Sequence, residues 1–122
     1  MSCQNEDFRI PLHPKGTTWD GITFLVSEKD ESGDEIPFDF TGATVVAQFR
    51  KGKTGPVIFE FKTTDQTIVF GTEETSDPTT GEIVLIPRII DYKAYDYYFT
   101  VRATFPDDRI DEIVEGYFEI VY

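Results

Sequence analysis

Hydrophobic and polar positions alternate along most of this chain with a period of two. From Tyr95 onward, Tyr95, Tyr97, Phe99, Val101, Ala103 and Phe105 fall on one face, and Asp96, Tyr98, Thr100, Arg102 and Thr104 on the other. Such alternation predicts a long strand with one buried face. The same pattern recurs in Ile22–Val26, Val45–Phe49 and Val57–Phe61. Ile68–Phe70, Ile83–Ile86 and Tyr117–Val121 are short apolar runs rich in β-branched and aromatic residues. Turn-forming segments separate them: Asp30–Glu35 around Gly33, Gly52–Pro56, Thr75–Gly81 and Pro106–Asp108. Helical periodicity is almost absent. The best helical stretch, Ile89–Ala94, allows one turn at most.

Seven or eight strands at about 8–15-residue spacing predict an all-β fold, a single antiparallel β-sandwich of immunoglobulin-like type. We expect an N-terminal arm over residues 1–15 and the sandwich over 16–122. In Asp91–Tyr97 an acid stands four residues before Tyr95 at a strand start. Immunoglobulin-like sandwiches use such a tyrosine as a corner that bonds back to the preceding backbone. The other reading of Tyr95 is one more aromatic on a core strand.

Composition narrows the function classes. The 122 residues suit one domain and carry 39% hydrophobic and 15% aromatic residues, enough for a core. With 11 Lys+Arg against 23 Asp+Glu the net charge is −12. That balance argues against nucleic acid and anionic membrane as partners, both of which need positive surface. Cys3 stands alone, in a polar stretch that reads as frayed, so no internal disulfide is expected. The first residues are polar and acidic and no apolar run is long enough to span a bilayer, so we expect neither a secretory leader nor a membrane segment.

Candidate chemistry is sparse. Ala47–Thr54 loosely matches a phosphate-binding loop, but Ala47–Arg50 alternate as strand and Gly55-Pro56 stand where a helix should grow. His13, the single histidine, reads as a surface or strand-edge residue rather than a metal ligand. The acids around Ser32-Gly33 lack the spacing of a calcium hand and read as a charged hairpin tip. No catalytic residue, cofactor or metal site is expected. Trp19 and the tyrosines fit a core better than a sugar-binding surface, except Tyr92 and Tyr98, which fall off the apolar face. Phe8, Ile10 and Leu12 alternate along the arm. These five, Phe8, Ile10, Leu12, Tyr92 and Tyr98, are the expected partner-binding residues.

Several stretches, taken in order, resemble phage and prophage tail and baseplate proteins, in particular the N-terminal domain of baseplate upper proteins. They are Gly16–Phe24, the signature Pro37-Phe38-Asp39-Phe40-Thr41-Gly42-Ala43-Thr44-Val45, the Gly-closed Thr80–Leu85, the Tyr95-Asp96-Tyr97-Tyr98 strand, and Glu115–Ile120. The resemblance implies a virion structural protein, assembled from host cytoplasm, with other virion proteins as partners and a homo-oligomer in the particle. The alternative is a carbohydrate-binding or adhesin-like module, which needs Trp19 and tyrosines exposed together.

Overall fold

The computed structural model describes residues 8–122; Cys3 and the start of the expected arm lie outside them. The described residues form twelve strands and no α-helix. These are β1 (Phe8–Pro14), β2 (Thr17–Trp19), β3 (Ile22–Leu25), β4 (Ser27–Lys29), β5 (Glu35–Pro37), β6 (Thr44–Arg50), β7 (Val57–Lys62), β8 (Ile68–Phe70), β9 (Glu82–Leu85), β10 (Arg88–Ile90), β11 (Tyr95–Thr104) and β12 (Ile110–Val121). They assemble into four sheets: β1-β12-β11-β6-β7, β10-β2, β3-β9-β8 and β4-β5.

The strand count exceeds expectation because long strands are interrupted, and the interruptions have chemical causes. Trp19 pairs with Arg88 and Ile22 with Leu85, so β2–β3 and β10–β9 keep one antiparallel register across the break. Pro87 at the break has no N–H to donate. Gly21 opposite has φ 81°, and a Cβ there would collide with the Leu85 carbonyl. Further along, Val26 N–H bonds the Gly81 carbonyl, while Val26 carbonyl accepts from Phe38 N–H. At Val26 the strand therefore changes partner from β9 to β5. The one-turn helix expected over Ile89–Ala94 is absent. Ile89 and Ile90 belong to β10, as their β-branched side chains favour. The 3₁₀ turns fall instead at Thr63–Asp65 and Pro78–Thr80.

The core lies between the five-stranded sheet and the smaller sheets, and it is unusually aromatic. Phe49 stacks on Phe59 (centroids 4.5 Å apart) and Phe99 (5.3 Å), with Phe61 and Phe118 edge-on. Trp19 closes this cluster from the other layer, against Phe118 at 5.2 Å and Phe61 at 5.7 Å. Phe38, Phe40 and Phe70 make a second group beneath the β4–β5 side.

A tyrosine corner exists, but at Tyr97 rather than Tyr95. The Tyr97 hydroxyl donates to the Lys93 carbonyl, four residues back, at 2.6 Å, and its ring is fully buried. Tyr95 is 45% exposed at the strand's end. Burial raises the Tyr97 phenol above its usual 10, so it stays a donor across the physiological range. Tyr97→Phe keeps the ring but strands the Lys93 carbonyl. It should cost about 1–2 kcal/mol, read as a lower urea midpoint with unchanged slope.

The Asp39-x-Thr41-Gly42 signature is a turn device. Thr41 donates both its N–H (2.9 Å) and its hydroxyl (2.5 Å) to Asp39 Oδ1. Ala43 N–H closes on the Phe40 carbonyl, and Gly42 has φ 81°. The motif recurs twice, as Asp65-x-Thr67 and Asp77-x-Thr79, with the same two donors on one carboxylate oxygen. Thr41 and Thr67 hydroxyls, and the Thr79 N–H followed by its hydroxyl, hold these acids below the ordinary 3.8. A depressed folded-state value means stability that is complete above the ordinary carboxylate value and lost as pH falls through and below it. The urea midpoint should therefore drop on acidification below about pH 4. Asp39→Asn/Asp65→Asn/Asp77→Asn should flatten that acid limb while lowering the neutral-pH midpoint.

Candidate interaction surface

The five expected contact residues land in different places. β1 lies parallel to β12, Phe8 opposite Gly116 and Pro14 opposite Val121, as an edge strand of the chain's own sheet. Its register shifts between Ile10 and His13, so both of those side chains point inward, 1% and 8% exposed. Leu12 is left outside at 60%, and Phe8 is partly exposed with its ring edge-on to Phe24 at 5.5 Å. His13 is thus on an edge strand but faces in, its Nε2 bonded to Thr17 carbonyl (2.9 Å) and hydroxyl (3.0 Å). Since the Thr17 hydroxyl itself donates to the Pro14 carbonyl, Nε2 carries the proton.

Tyr92 stacks on Phe59 at 4.2 Å and accepts a bond from Arg88 Nη2 at 2.7 Å. Tyr98 lies on the outer face of the large sheet yet is only 7% exposed, packed edge-on to Tyr117 with Lys53 Nζ 5.6 Å from its centroid. Neither tyrosine offers a broad open ring. Trp19 is buried at 6%, so it cannot head a sugar-stacking cluster.

The outer face of the large sheet has a shallow depression of about 220 Å³, lined by Val46, Gln48, Thr100, Arg102, Thr104 and Ile110. Among the described residues, no three His, Cys, Asp or Glu side chains gather as a metal site. In the acidic hairpin, Asp30 Oδ1 is used by the N–H groups of Ser32 and Asp34. The phosphate-loop-like segment is the end of β6 and the tip of its hairpin.

What the molecule does present is sheet edge, and the edges differ. β7 is blunted: Arg88 Nη1 donates to the Glu60 carbonyl, and Thr67 occupies both the N–H and the carbonyl of Lys62. Such capping guards against strand addition. On the other flank β12 runs from Ile110, and β1, whose first described residue is Phe8, pairs with it from Gly116 onward. Among the described residues, no strand lies beside Ile110–Glu115 on that side. β3 is likewise an edge strand. The Val26–Gly81 bond makes 26/81, 24/83 and 22/85 the bonded pairs, so the main-chain groups of Thr23 and Leu25 face away from β9. The Phe8 ring on β1 meets the Phe24 ring on β3, so these two edge strands lie close together. Leu25 on β3 is 75% exposed, and Ile110, 62% exposed, borders the depression on the outer face of the large sheet.

Sequence reading passed over the exposed edge of β3. Its one signal was Leu25, an apolar residue at a position whose strand neighbours Thr23 and Ser27 are polar. No protein-family model matches the chain, and no curated protein matches its sequence.

Proposed function

We propose that this chain is an immunoglobulin-like β-sandwich that acts by protein–protein assembly, as a structural component of a phage or prophage tail, baseplate or neck. The ladder orders support the finer fold. With β3 as strand B, β6 as C, β7 as C′, β8 as D, β9 as E, β11 as F and β12 as G, the sheets read G-F-C-C′ and B-E-D, the variable-type arrangement. The Tyr97 corner at the start of β11 sits where strand F carries one in that fold. The small sheets then act as one second layer, held in register through Gly21/Pro87 and Val26.

One observation carries the functional class: large apolar side chains, Phe8, Leu12 and Leu25, stand exposed on the edge strands β1 and β3 of a chain whose net charge is −12. Edge strands with unpaired main chain are the usual docking sites of assembling sandwiches. The particle context comes from the ordered resemblance to tail and baseplate proteins, now with a physical role for its signature turn. Mass spectrometry of particles purified after induction tests it. Stoichiometric abundance of the chain is the expected result, and its absence from intact particles while present in the lysate would overturn the virion assignment. The glycan-binding alternative has lost Trp19, and nothing in the geometry favours it.

A further inference from the structure

We infer that the end of the sandwich carrying the β6–β7 hairpin tip is a docking surface for a second copy of this chain, which meets it with its opposite, acidic end. This goes beyond the edge strands of the assembly reading, because it names a different surface and a partner of stated chemistry.

The register places the charges. β6 and β11 run antiparallel, Tyr98 opposite Arg50 and Thr104 opposite Thr44, so the hairpin tip at 51–56 stands at the Tyr95 end of β11. Lys15 joins that end, its N–H bonded to the Val121 carbonyl, and Lys93 just precedes Tyr95. The acids there are already matched. Asp91 is held by Lys15 at 2.9 Å and Asp96 by Arg9 at 3.0 Å, with Glu119 also facing Arg9. Lys51 and Lys53 lie instead over the rings of Tyr95 and Tyr98, at 5.4 and 5.6 Å. Among the described residues, none of Lys51, Lys53 and Lys93 forms an ion pair, in a chain with 23 acids to 11 bases.

The other end is acidic. The Pro106 ring lies against Gly42, and Phe40 N–H bonds the Pro78 carbonyl. Asp39, Asp77, Asp107 and Asp108 therefore share this end. β4 and β5 continue past the Val26–Gly81 bond and carry the four acids of the Asp30–Glu35 hairpin with them. Gly71 N–H on the Glu82 carbonyl brings the Glu73-Glu74 loop to the same side.

Distance decides which charge an approaching molecule meets. The ten residues of β11 separate the two ends by roughly 33 Å, several times the screening length of about 8 Å at physiological salt. The basic end therefore acts through its own lysines rather than through the net charge of −12. It fits an acidic protein surface, and the chain carries one at its opposite pole. Copies lined up in the same direction set unlike ends together, whereas copies facing each other set like ends together and repel. Tyr95, 45% exposed beside Lys51, supplies an aromatic contact of the kind interfaces favour. A contact between two different patches of one chain is heterologous, and it closes into a ring or runs on as a filament.

Sedimentation velocity of the full chain tests this. The parent should self-associate at about 20 mM salt, and about tenfold more weakly at about 300 mM. Lys51→Gln/Lys53→Gln/Lys93→Gln neutralises the basic end. Glu31→Lys/Glu35→Lys/Glu74→Lys spoils the acidic end and leaves the three Asp-Thr turns intact. Each variant alone should be a monomer with the circular dichroism of the parent. Their equal mixture should give a heterodimer and nothing larger, because only one complementary pair of ends remains. A parent that stays monomeric at low salt, a variant that associates as the parent does, or a mixture of folded variants that stays monomeric would each overturn the inference. A monomeric parent that binds polyphosphate through the same lysines would also overturn it, and would assign the basic end to an anionic polymer. None of these results bears on particle composition, so this contact and the virion assignment fail separately.

Discussion

Phe49→Ala should lower the unfolding free energy by about 3–5 kcal/mol, the usual cost of emptying a large aromatic site in a core. Phe49 is fully buried at the centre of the large sheet, and four other rings meet it: Phe59, Phe99, Phe61 and Phe118. Its loss removes both apolar burial and the ring geometry, since stacked and edge-on pairs add about 0.5–1.5 kcal/mol each beyond area. Relaxation is limited because the neighbours are themselves stacked and rigid. Domains of this size hold only about 5–15 kcal/mol in total, so the variant should sit near its unfolding threshold at 37 °C. Urea titration at 25 °C checks it. Phe49→Leu, which keeps most of the volume, should cost clearly less.

Gly116→Val should cost about 2–4 kcal/mol through a different route, by pushing β1 off the sheet. Gly116 sits opposite Phe8 on one side and Phe99 on the other. A Cβ there would collide with the Phe8 carbonyl, although Gly116 has no left-handed backbone. The glycine is required by the close approach of a neighbouring main chain, not by its own conformation. A valine forces the start of β1 away and uncovers Ile10, which is 1% exposed in the native fold. Hydrogen exchange separates the two variants. Phe49→Ala should speed exchange throughout the sheet, whereas Gly116→Val should release β1 amides while β6 and β11 stay protected.

The sequence made the long strands legible where one face is buried and the other wet. β6, with alternating buried positions at Val45, Ala47 and Phe49, is the clearest case. It failed where the alternation is broken or the strand is too short to have one. In β1, Phe8, Ile10 and Leu12 share a face on paper, but the register shift beside Pro11 turns Leu12 out and His13 in. In β12 a shift opposite Val101 and Arg102 inserts Ile113 and breaks the parity, so the acidic first half did not read as strand. β2, β4, β5 and β10 are three-residue strands whose pairing is fixed by the register of longer neighbours. The corner tyrosine was misplaced by two residues because Asp91 drew attention to Tyr95, whereas the face that points inward selects Tyr97. Of the expected contact residues, Tyr92 was invisible as a packed side chain because its partner Phe59 lies far away in sequence.

The parallel pairing of β1 with β12 has a mechanical consequence. β1 enters opposite Gly116, and β12 leaves past Val121 at the far end of the same ladder. Tension drawn between the two ends of the described chain therefore pulls these strands lengthwise in opposite directions. The ladder is loaded in shear, so its bonds must yield together, over a seven-residue strand that spans roughly 20 Å. An antiparallel terminal pair would instead open one bond at a time, like a zip. A domain threaded this way can sit in line with a pulling load and transmit it from one neighbour to the next, because the strands that bear the force share one ladder of the five-stranded sheet.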